Sequence, residues 1–179
     1  MKTYLLAAAA AALACPLSPA FAQTPGHAPA ATQPAKMAQQ EYRIGDLTIR
    51  QPWTRATPKG APVAGGYVTI TNNGKTADML TGGAFSGAGM VQIHAMSVTN
   101  GVMKMRHLEK GLEIKPGASI TLKPGGLHLM FIRLKGGVAT GKPIKGSLVF
   151  ARAGKIDVMF AVAPLGSTRP PAAKQGHKH

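Results

Sequence analysis

The sequence predicts an all-β domain, built as an antiparallel sandwich or a small barrel. Its apolar residues fall in short runs that alternate with polar ones, and Gly, Pro and Asn interrupt the runs. No stretch keeps an apolar period of 3.6 residues for three turns, so strands are favoured over helices. Short strands at this spacing are typical of sandwiches and barrels. The predicted strands are Leu47–Trp53, Gly66–Asn72, Met79–Phe85, Met90–Val98, Val102–Leu108, Ser119–Leu122, Leu127–Leu134, Ser147–Ala151 and Ile156–Ala163.

The turns between these strands contain residues that suit tight reversals of the chain. Asn100-Gly101 lies between two predicted strands and indicates a hairpin, because both residues accept the positive φ angles that a tight turn requires. Lys115–Gly117 and Lys123–Gly126 each contain Pro-Gly and predict turns of the same mechanical kind. The Asn-Gly turn therefore places its two flanking strands side by side.

Residues 1–22 are predicted to form an export signal that is cleaved after Ala22. One positive charge at Lys2 precedes an apolar run that ends at Cys15, and small residues stand before the cleavage site. The apolar run is too short to cross a bilayer, which needs about 20 residues. A lipid anchor at Cys15 is the competing interpretation; Ala12 argues against it, because a lipoprotein signal prefers Leu at that position.

Export has consequences for the mature chain, which we expect in the periplasm. The single cysteine is lost with the signal, so the folded protein has neither a disulfide nor a thiolate. Its stability must therefore come from burial of the hydrophobic core, without disulfide cross-links. Removal of Lys2 changes the formal charge from +15 to +14, because the signal contains no acidic residue.

Composition divides the mature chain into three parts. Residues 23–40 are rich in Ala, Pro, Gln and Thr and contain no aromatic residue, which predicts a flexible lead. Residues 166–179 predict a disordered, basic tail that contains histidine. Residues 41–165 lie between them and form the one predicted folded domain, in which we find no internal repeat.

The chain is strongly basic, with 21 Lys and Arg against six Asp and Glu. So few carboxylates argue against glycosidase chemistry and against Ca²⁺ or Mg²⁺ cages of oxygen ligands. The sequence has no Gly-x-Ser-x-Gly nucleophile motif and too few carboxylates to orient a His base, so the protein is predicted not to be an enzyme. Export and only nine aromatic residues disfavour nucleic acid as a partner. A basic module that attaches to anionic lipid or cell-envelope polymer stays open as an alternative function.

Histidine and methionine are concentrated in one part of the domain. Five of the nine methionines and three of the six histidines lie between Met90 and Met130. Alternate residues of a strand lie on the same face, so these residues form groups within each strand. The groups are His94 with Met96, Met103 with Met105 and His107, and His128 with Met130.

The Asn-Gly hairpin makes His94 and Met105 direct or diagonal neighbours across two strands. His128 and Met130 join them if the Leu127–Leu134 strand lies alongside. Imidazole and thioether form a soft to borderline ligand set, which favours Cu(I) over Mg²⁺, Ca²⁺ or Mn²⁺. Zinc is less favoured, because structural zinc sites normally use thiolates.

Taken alone, each of these residues is more often explained by packing or exposure than by metal binding. Met commonly fills β cores, and a strand His is commonly hydrogen-bonded or exposed. Met79, Met90 and Met159 are therefore assigned to the core, and Trp53 is expected in the core rather than over a site. Spacing alone leaves the metal site undecided.

Five segments carry a resemblance to a known family: Gln51–Pro58, Gly66–Gly74, Val91–His94, Gly101–Met105 and Lys123–Met130. They are similar to the periplasmic copper chaperones of the PCu(A)C family over most of the domain. The most specific segment is the last, which reads Pro-Gly-Gly-x-His-x-Met. The family pattern is a His, ten residues, a Met, about twenty-one residues and then His-x-Met; here the second gap holds 22 residues.

The resemblance implies a cupredoxin-like, antiparallel Greek-key β fold that holds one Cu(I) ion. The ligands that it implies are His94, Met105, His128 and Met130. It also implies an extracytoplasmic metallochaperone that delivers Cu(I) to a cuproenzyme, the CuA centre of cytochrome c oxidase, beside a Sco-type thiol protein. A blue-copper electron carrier on this fold is disfavoured, because it needs a Cys thiolate.

Other details of the expected protein follow from the same comparison and from charge. We expect a monomer, with peripheral contact to anionic membrane left open. Met96 and Met103 are expected to pack beside the site, and His107 to be an exposed strand residue. His177 and His179 on the tail leave open a weak auxiliary site for Cu(II).

Overall fold

The computed structural model describes residues 40–171, which form eleven strands and no helix. None of these residues belongs to a helix that could span a membrane. The predicted signal, almost all of the lead and residues 172–179 of the tail lie outside the described range. The strands are β1 Glu41–Ile44, β2 Leu47–Arg55, β3 Val63–Asn72, β4 Asp78–Phe85, β5 Met90–Thr99, β6 Val102–His107, β7 Leu112–Ile114, β8 Ser119–Leu122, β9 His128–Ile132, β10 Ile144–Phe150 and β11 Gly154–Ala163.

All nine predicted strands are present, and the all-β fold class is confirmed. Two short strands, β1 and β7, are additional. Neither is long enough to show a clear alternation, and each is defined by its partner: β1 pairs with β2 through a turn at Gly45, and β7 pairs with β4. The predicted domain boundaries at residues 41 and 165 stay a prediction, although the first strand begins at Glu41 and the last ends at Ala163.

The strands form one continuous sheet in the order β6-β5-β9-β3-β2-β11-β10-β4-β7, with β1 and β8 attached at β2 and β3. Every pairing is antiparallel except that of β11 with β2. The first part of β11 pairs with β10 and its last three residues pair with β2, so this strand joins the two halves of the sheet. The halves pack face to face as a sandwich.

Three phenylalanines connect the two halves at the centre of the core. The Phe85 ring on β4 stacks on Phe131 of β9 with 3.9 Å between centroids, and Phe160 of β11 meets both rings edge-on. Leu129 and Phe131 are fully buried and point into this core. Because alternate residues of a strand point to opposite faces, His128 and Met130 lie on the outer face of β9.

A bulge in β2 turns Trp53 to that same outer face. The register with β3 shifts between Arg50 and Trp53, where Gln51 has a φ angle of +50° and Pro52 follows. Ile49, before the bulge, lies in the main core, whereas Trp53 packs on Tyr67 in a separate small cluster with Ala161 and Ala163. The predicted burial of Trp53 is confirmed, since it is 5% exposed.

The hairpin predicted at Asn100-Gly101 joins β5 to β6, and both turn residues have positive φ angles, of 52° and 76°. All six residues of β6 are exposed, and β6 is the edge strand of the sheet. On its other side β5 pairs with β9. The three strands that carry the predicted ligands are therefore adjacent.

Candidate metal centre

His94 lies at the middle of a row of three histidines that crosses β6, β5 and β9. In the antiparallel register it is directly opposite His107 on one side and His128 on the other. The ring centroids are 5.4 Å from His94 to His107 and 5.7 Å from His94 to His128. Direct cross-strand partners lie on the same face, so all three imidazoles are on the outer face of the sheet.

The predicted methionine ligands occupy the diagonal positions around this row. Met105 is opposite Met96, which is two residues after His94 on β5. Met130 is opposite Gln92, which is two residues before His94. Diagonal side chains on one face are within reach of long residues such as Met. The structure therefore brings the four predicted residues, His94, Met105, His128 and Met130, to one face of three adjacent strands.

A cavity of about 300 Å³ opens beside these strands. It is lined by Met105, His128 and Met130 of the predicted set, and also by Met96. The His94 ring is not part of the lining and lies next to His128. Among the described residues, no group of three or more His, Cys, Asp or Glu is placed to hold a metal ion. The candidate set combines two imidazoles with two thioethers.

His128 is held by its own turn. It is 5% exposed, and its Nδ1–H donates to the carbonyl oxygen of Gly126 at 3.0 Å. The same carbonyl oxygen accepts a hydrogen bond from the backbone N–H of Met96, which fixes the turn against β5. With Nδ1 occupied, Nε2 of His128 keeps its lone pair free. A metal-ligating His typically has one ring nitrogen tied in this way.

The His94 ring is held in a similar way, but here Nε2 is the hydrogen-bonded nitrogen and Nδ1 is the free one. Its Nε2–H donates to Oε1 of Gln92 at 2.9 Å, and Nδ1 is buried without a hydrogen-bond partner. Burial lowers the pKa of His94 below its ordinary value, and the neighbouring His128 and His107 lower that pKa further. The ring therefore favours the neutral form, whose Nδ1 lone pair is available to a metal.

Exposure differs across the candidate ligands. His128 is buried and Met130 is half-buried, whereas Met105 is 48% exposed on the edge strand. His107 is exposed as predicted. Met96 is half-buried in the cavity wall, and Met103 is 65% exposed, farther along β6 toward the hairpin turn. The site thus has a buried side on β9 and an open side on β6.

Three residues around the site were not anticipated as part of it: Gln92, Tyr67 and Arg55. Gln92 could have been found from the alternation of β5, since it shares a face with His94. Tyr67 and Arg55 line the cavity, and the Arg55 guanidinium donates to the Tyr67 hydroxyl, at 2.6 Å from Nη2. Arg55 follows the bulge in β2, which no sequence pattern located, whereas Tyr67 lies on the same face of β3 as Gly65, which is opposite Met130.

Two glycines of β3 allow this wall to approach β9. Gly65 is directly opposite Met130, and a Cβ atom there would meet the hydroxyl of Tyr67. A Cβ atom on Gly66 would collide with the Phe131 ring. The Tyr67 hydroxyl and the Phe131 ring therefore occupy the space that the Cβ atom of a larger residue at position 65 or 66 would need.

The remaining methionines of the folded domain do not belong to its core. Met79 and Met159 are half-buried, but each is next to a core residue on its strand, Leu80 or Phe160, and therefore lies on the opposite face of the sheet. Met90 is 37% exposed, so its assignment to the core is wrong; it stands at the start of β5, opposite Ile132.

A larger cavity of about 400 Å³ lies on the other half of the sandwich, lined by Tyr42, Ser147 and Met159 among others. None of the described residues that line it is a histidine.

The sequence of this chain is similar to those of known proteins. Residues 47–162 match the family described as "LpqE-like: Putative lipoprotein LpqE-like". A protein of Leifsonia xyli subsp. xyli, "Putative lipoprotein Lxx21020", is 30% identical over 126 residues, which cover 70% of this chain and 71% of that protein.

Solved structures of copper-related domains are similar to this fold. The copper-bound PCuAC domain from PmoF2 is 25% identical with a TM-score of 0.60, and the apo PCuAC domain from PmoF1 is 29% identical with a TM-score of 0.59. Each comparison covers 70% of this chain and 99% of the domain. The predicted resemblance to PCu(A)C domains and the cupredoxin-like fold are confirmed. By its match over residues 47–162, the chain belongs to the LpqE-like family.

Proposed function

We propose that this protein is an extracytoplasmic metallochaperone that binds one Cu(I) ion through His94, Met105, His128 and Met130. The observation that carries the proposal is the state of the two imidazoles. Each has one nitrogen tied to a carbonyl oxygen, of Gln92 or of Gly126, and the other free. Hydrogen bonds of this kind fix the tautomer and orientation of metal-binding histidines.

The ligand chemistry supports Cu(I) as the cargo. Thioether sulfur is a soft ligand, and Cu(I) is the soft ion that it selects, whereas Cu(II) prefers tetragonal nitrogen and oxygen sets. All four ligands are neutral, so the bound ion keeps its single positive charge. The copper-bound PmoF2 domain, which has the same fold, adds to this support.

The exposure of the site supports transfer rather than storage. Met105 is 48% exposed on the edge strand, so a partner protein has access to one copper ligand while His128 remains buried. Thioethers are weak ligands of copper, and an acceptor's stronger ligands therefore replace them stepwise. No redox step or bond cleavage is required, and we propose no enzymatic activity.

The proposed acceptor is the CuA centre of cytochrome c oxidase, with a Sco-type thiol protein as a second partner. Both rest on the resemblance to the PCu(A)C family. The basic charge supports an acceptor with an acidic docking face, because opposite charges accelerate encounter. Exposed Lys104 and Arg106 lie on β6 itself, next to Met105. We propose that the chaperone acts as a monomer.

An anaerobic Cu(I) titration against a chromophoric chelator tests copper binding. We expect one equivalent per chain, and X-ray absorption of the loaded protein should show two nitrogen and two sulfur ligands. Replacing His94, Met105, His128 and Met130 by Ala together should weaken binding by more than the roughly 10–100-fold that loss of one outer hydrogen-bond partner costs. A Met159→Leu variant is the matched control, because that residue lines the other cavity. Undiminished affinity in the quadruple variant contradicts the assignment.

Export is the other part of the proposal, and its form is open to direct measurement. Cleavage after Ala22 is our prediction, whereas the relative from Leifsonia and the matching family are both named as lipoproteins. The intact mass of the protein recovered from the envelope fraction separates the two forms. A mass equal to that of a chain beginning at Gln23 supports the soluble periplasmic form. A mass equal to that of a diacylated or triacylated chain beginning at Cys15 contradicts this form and places the chaperone on a membrane.

A further inference from the structure

His107 is the histidine of the row that the proposed ligand set does not use. It lies directly opposite His94, and its ring is 5.4 Å from the His94 ring, slightly closer than the 5.7 Å that separates His94 from His128. It is exposed on the edge strand, two residues after Met105. The structure describes no hydrogen bond from its ring to residues 40–171, so the ring is free to turn toward His94.

Two imidazole and thioether pairs therefore flank His94 on opposite sides. The inner pair is His128 and Met130 on β9, which are buried and half-buried. The outer pair is His107 and Met105 on β6, which are both exposed. Within each pair the residues are two positions apart on one strand, so each pair presents its nitrogen and sulfur to the same face.

We propose that His107 forms, with Met105 and His94, an outer release position for Cu(I). This rests on the proposed function, since it assumes that the site binds Cu(I). Copper held between His94 and the inner pair moves outward when His107 replaces His128 and Met130. His94 and Met105 remain bound throughout, the ion stays Cu(I), and no proton or electron is transferred. The ion then lies on the exposed edge strand, where an acceptor has access to it.

The chemistry of the two positions explains the direction of the transfer. The inner position offers two imidazoles and two thioethers, and the outer one offers two imidazoles and one thioether. The outer position is therefore the weaker, and it is populated only briefly in the free protein. An acceptor that supplies one further soft ligand completes the coordination at the outer position. His107 thus lowers the barrier to release without adding to resting affinity.

A double-mutant cycle tests this arrangement at equilibrium. In the wild-type background, His107→Gln should change Cu(I) affinity by less than about threefold, since the inner position keeps its four ligands. In a His128→Gln background, where copper depends on the outer position, the same change should lower affinity by at least about tenfold, a cost like that of losing an ordering partner. Equal effects of His107→Gln in both backgrounds overturn the proposal.

A kinetic measurement gives a second test. Cu(I)-loaded protein is mixed with excess bicinchoninate in a stopped-flow instrument, and copper transfer is followed by absorbance. We expect His107→Gln to slow transfer by about tenfold, equivalent to about 1.4 kcal/mol in the barrier. Val102→Ala, on the other face of the same strand, should leave the rate unchanged. If His107→Gln transfers copper at the wild-type rate, the release role is wrong.

The two proposals fail in different ways. If the wild-type protein binds no Cu(I) in the titration, the proposed function is wrong and His107 has no copper to release. If the wild-type protein binds one Cu(I) and either His107 test gives the contrary result, the metallochaperone stands and only the release position is rejected.

Discussion

The imidazole of His94 donates a hydrogen bond from Nε2 to Oε1 of Gln92, two residues earlier on the same face of β5. This contact decides which nitrogen of His94 carries the proton. Because Nε2 carries the proton, the buried and otherwise unpartnered Nδ1 keeps its lone pair. The Gln92 amide is itself oriented, since its Nε2 donates to the sulfur of Met90 at 3.4 Å. Gln92 is therefore a positioning residue for the proposed copper ligand.

Gln92→Leu should weaken Cu(I) binding by about 10–100-fold, because His94 loses the acceptor that holds its ring and tautomer. Gln92→Glu is the matched control, since it keeps an oxygen acceptor at the same place and should retain affinity. Competition titration against a Cu(I) chelator measures both. Equal affinities of wild type and Gln92→Leu would show that the ring is held by packing alone.

Gly66→Ala should destabilise the fold by about 1–3 kcal/mol, the usual cost of overpacking a core. The added Cβ would collide with the Phe131 ring, which cannot retreat because it stacks on Phe85. Gly82→Ala is the control, since no atom lies within 4 Å of the Cβ added there. Urea unfolding of both variants measures the difference. A Gly66→Ala protein as stable as Gly82→Ala would contradict this account of β3.

Asp78 should make the folded protein less stable as the pH falls into the acid range. Burial alone would raise the pKa of its carboxyl, but the backbone N–H groups of Arg152, Met79 and Ala153, with the Arg152 charge, outweigh burial and lower the pKa below its ordinary value near 3.8. The unfolded chain therefore binds the proton more readily. The stabilisation is present above about pH 3.8 and is lost as the pH falls through the lower, folded-state pKa.

Asp78→Asn should cost about 1–3 kcal/mol at neutral pH, because an amide nitrogen replaces one acceptor oxygen among buried N–H donors. The cost should shrink in acid, because the unfolded wild-type chain takes up a proton there and the stabilisation by the carboxylate is lost. Unfolding free energies at pH 7 and pH 3 measure this, with Asp157→Asn as an exposed control. A cost that is the same at both pH values argues against a role for the carboxylate charge.

Deletion of Gly176–His179 should leave Cu(I) binding unchanged and remove any weaker Cu(II) equivalent. These histidines lie outside the described residues. The sequence predicts a disordered tail, and imidazoles on such a tail would lose ordering entropy that a strand-held ligand does not. Isothermal titration with Cu(I) and Cu(II) compares the two chains. Identical Cu(II) stoichiometry with and without the tail rules out the auxiliary site.

Copper transfer to a purified CuA domain should slow as ionic strength rises. A charge of +15, or +14 without Lys2, attracts an acidic acceptor, and the Debye length of about 8 Å at 0.15 M salt screens this attraction. Transfer within the docked complex should change little. A second-order rate that stays flat from low to high salt would favour attachment of the basic surface to anionic lipid or cell-envelope polymer.

The sequence determined those features that depend on neighbours along the chain. Alternation of apolar and polar residues located the strands, and Asn100-Gly101 located the hairpin, because side-chain direction and turn geometry are local properties. The same alternation put His94, Met105, His128 and Met130 on faces from which they could meet. Residue type limited the metal to a soft ion.

Only the tertiary structure decided which strands lie side by side and in what register. Local alternation places His107 on a face but does not specify its cross-strand neighbour, and the register puts it opposite His94. The bulge at Gln51-Pro52, which turns Trp53 to the outer face of the sheet, is likewise fixed by pairing with β3. Strand order and register arise from contacts between distant parts of the chain, where burial of the whole core selects one arrangement among many that local pattern allows.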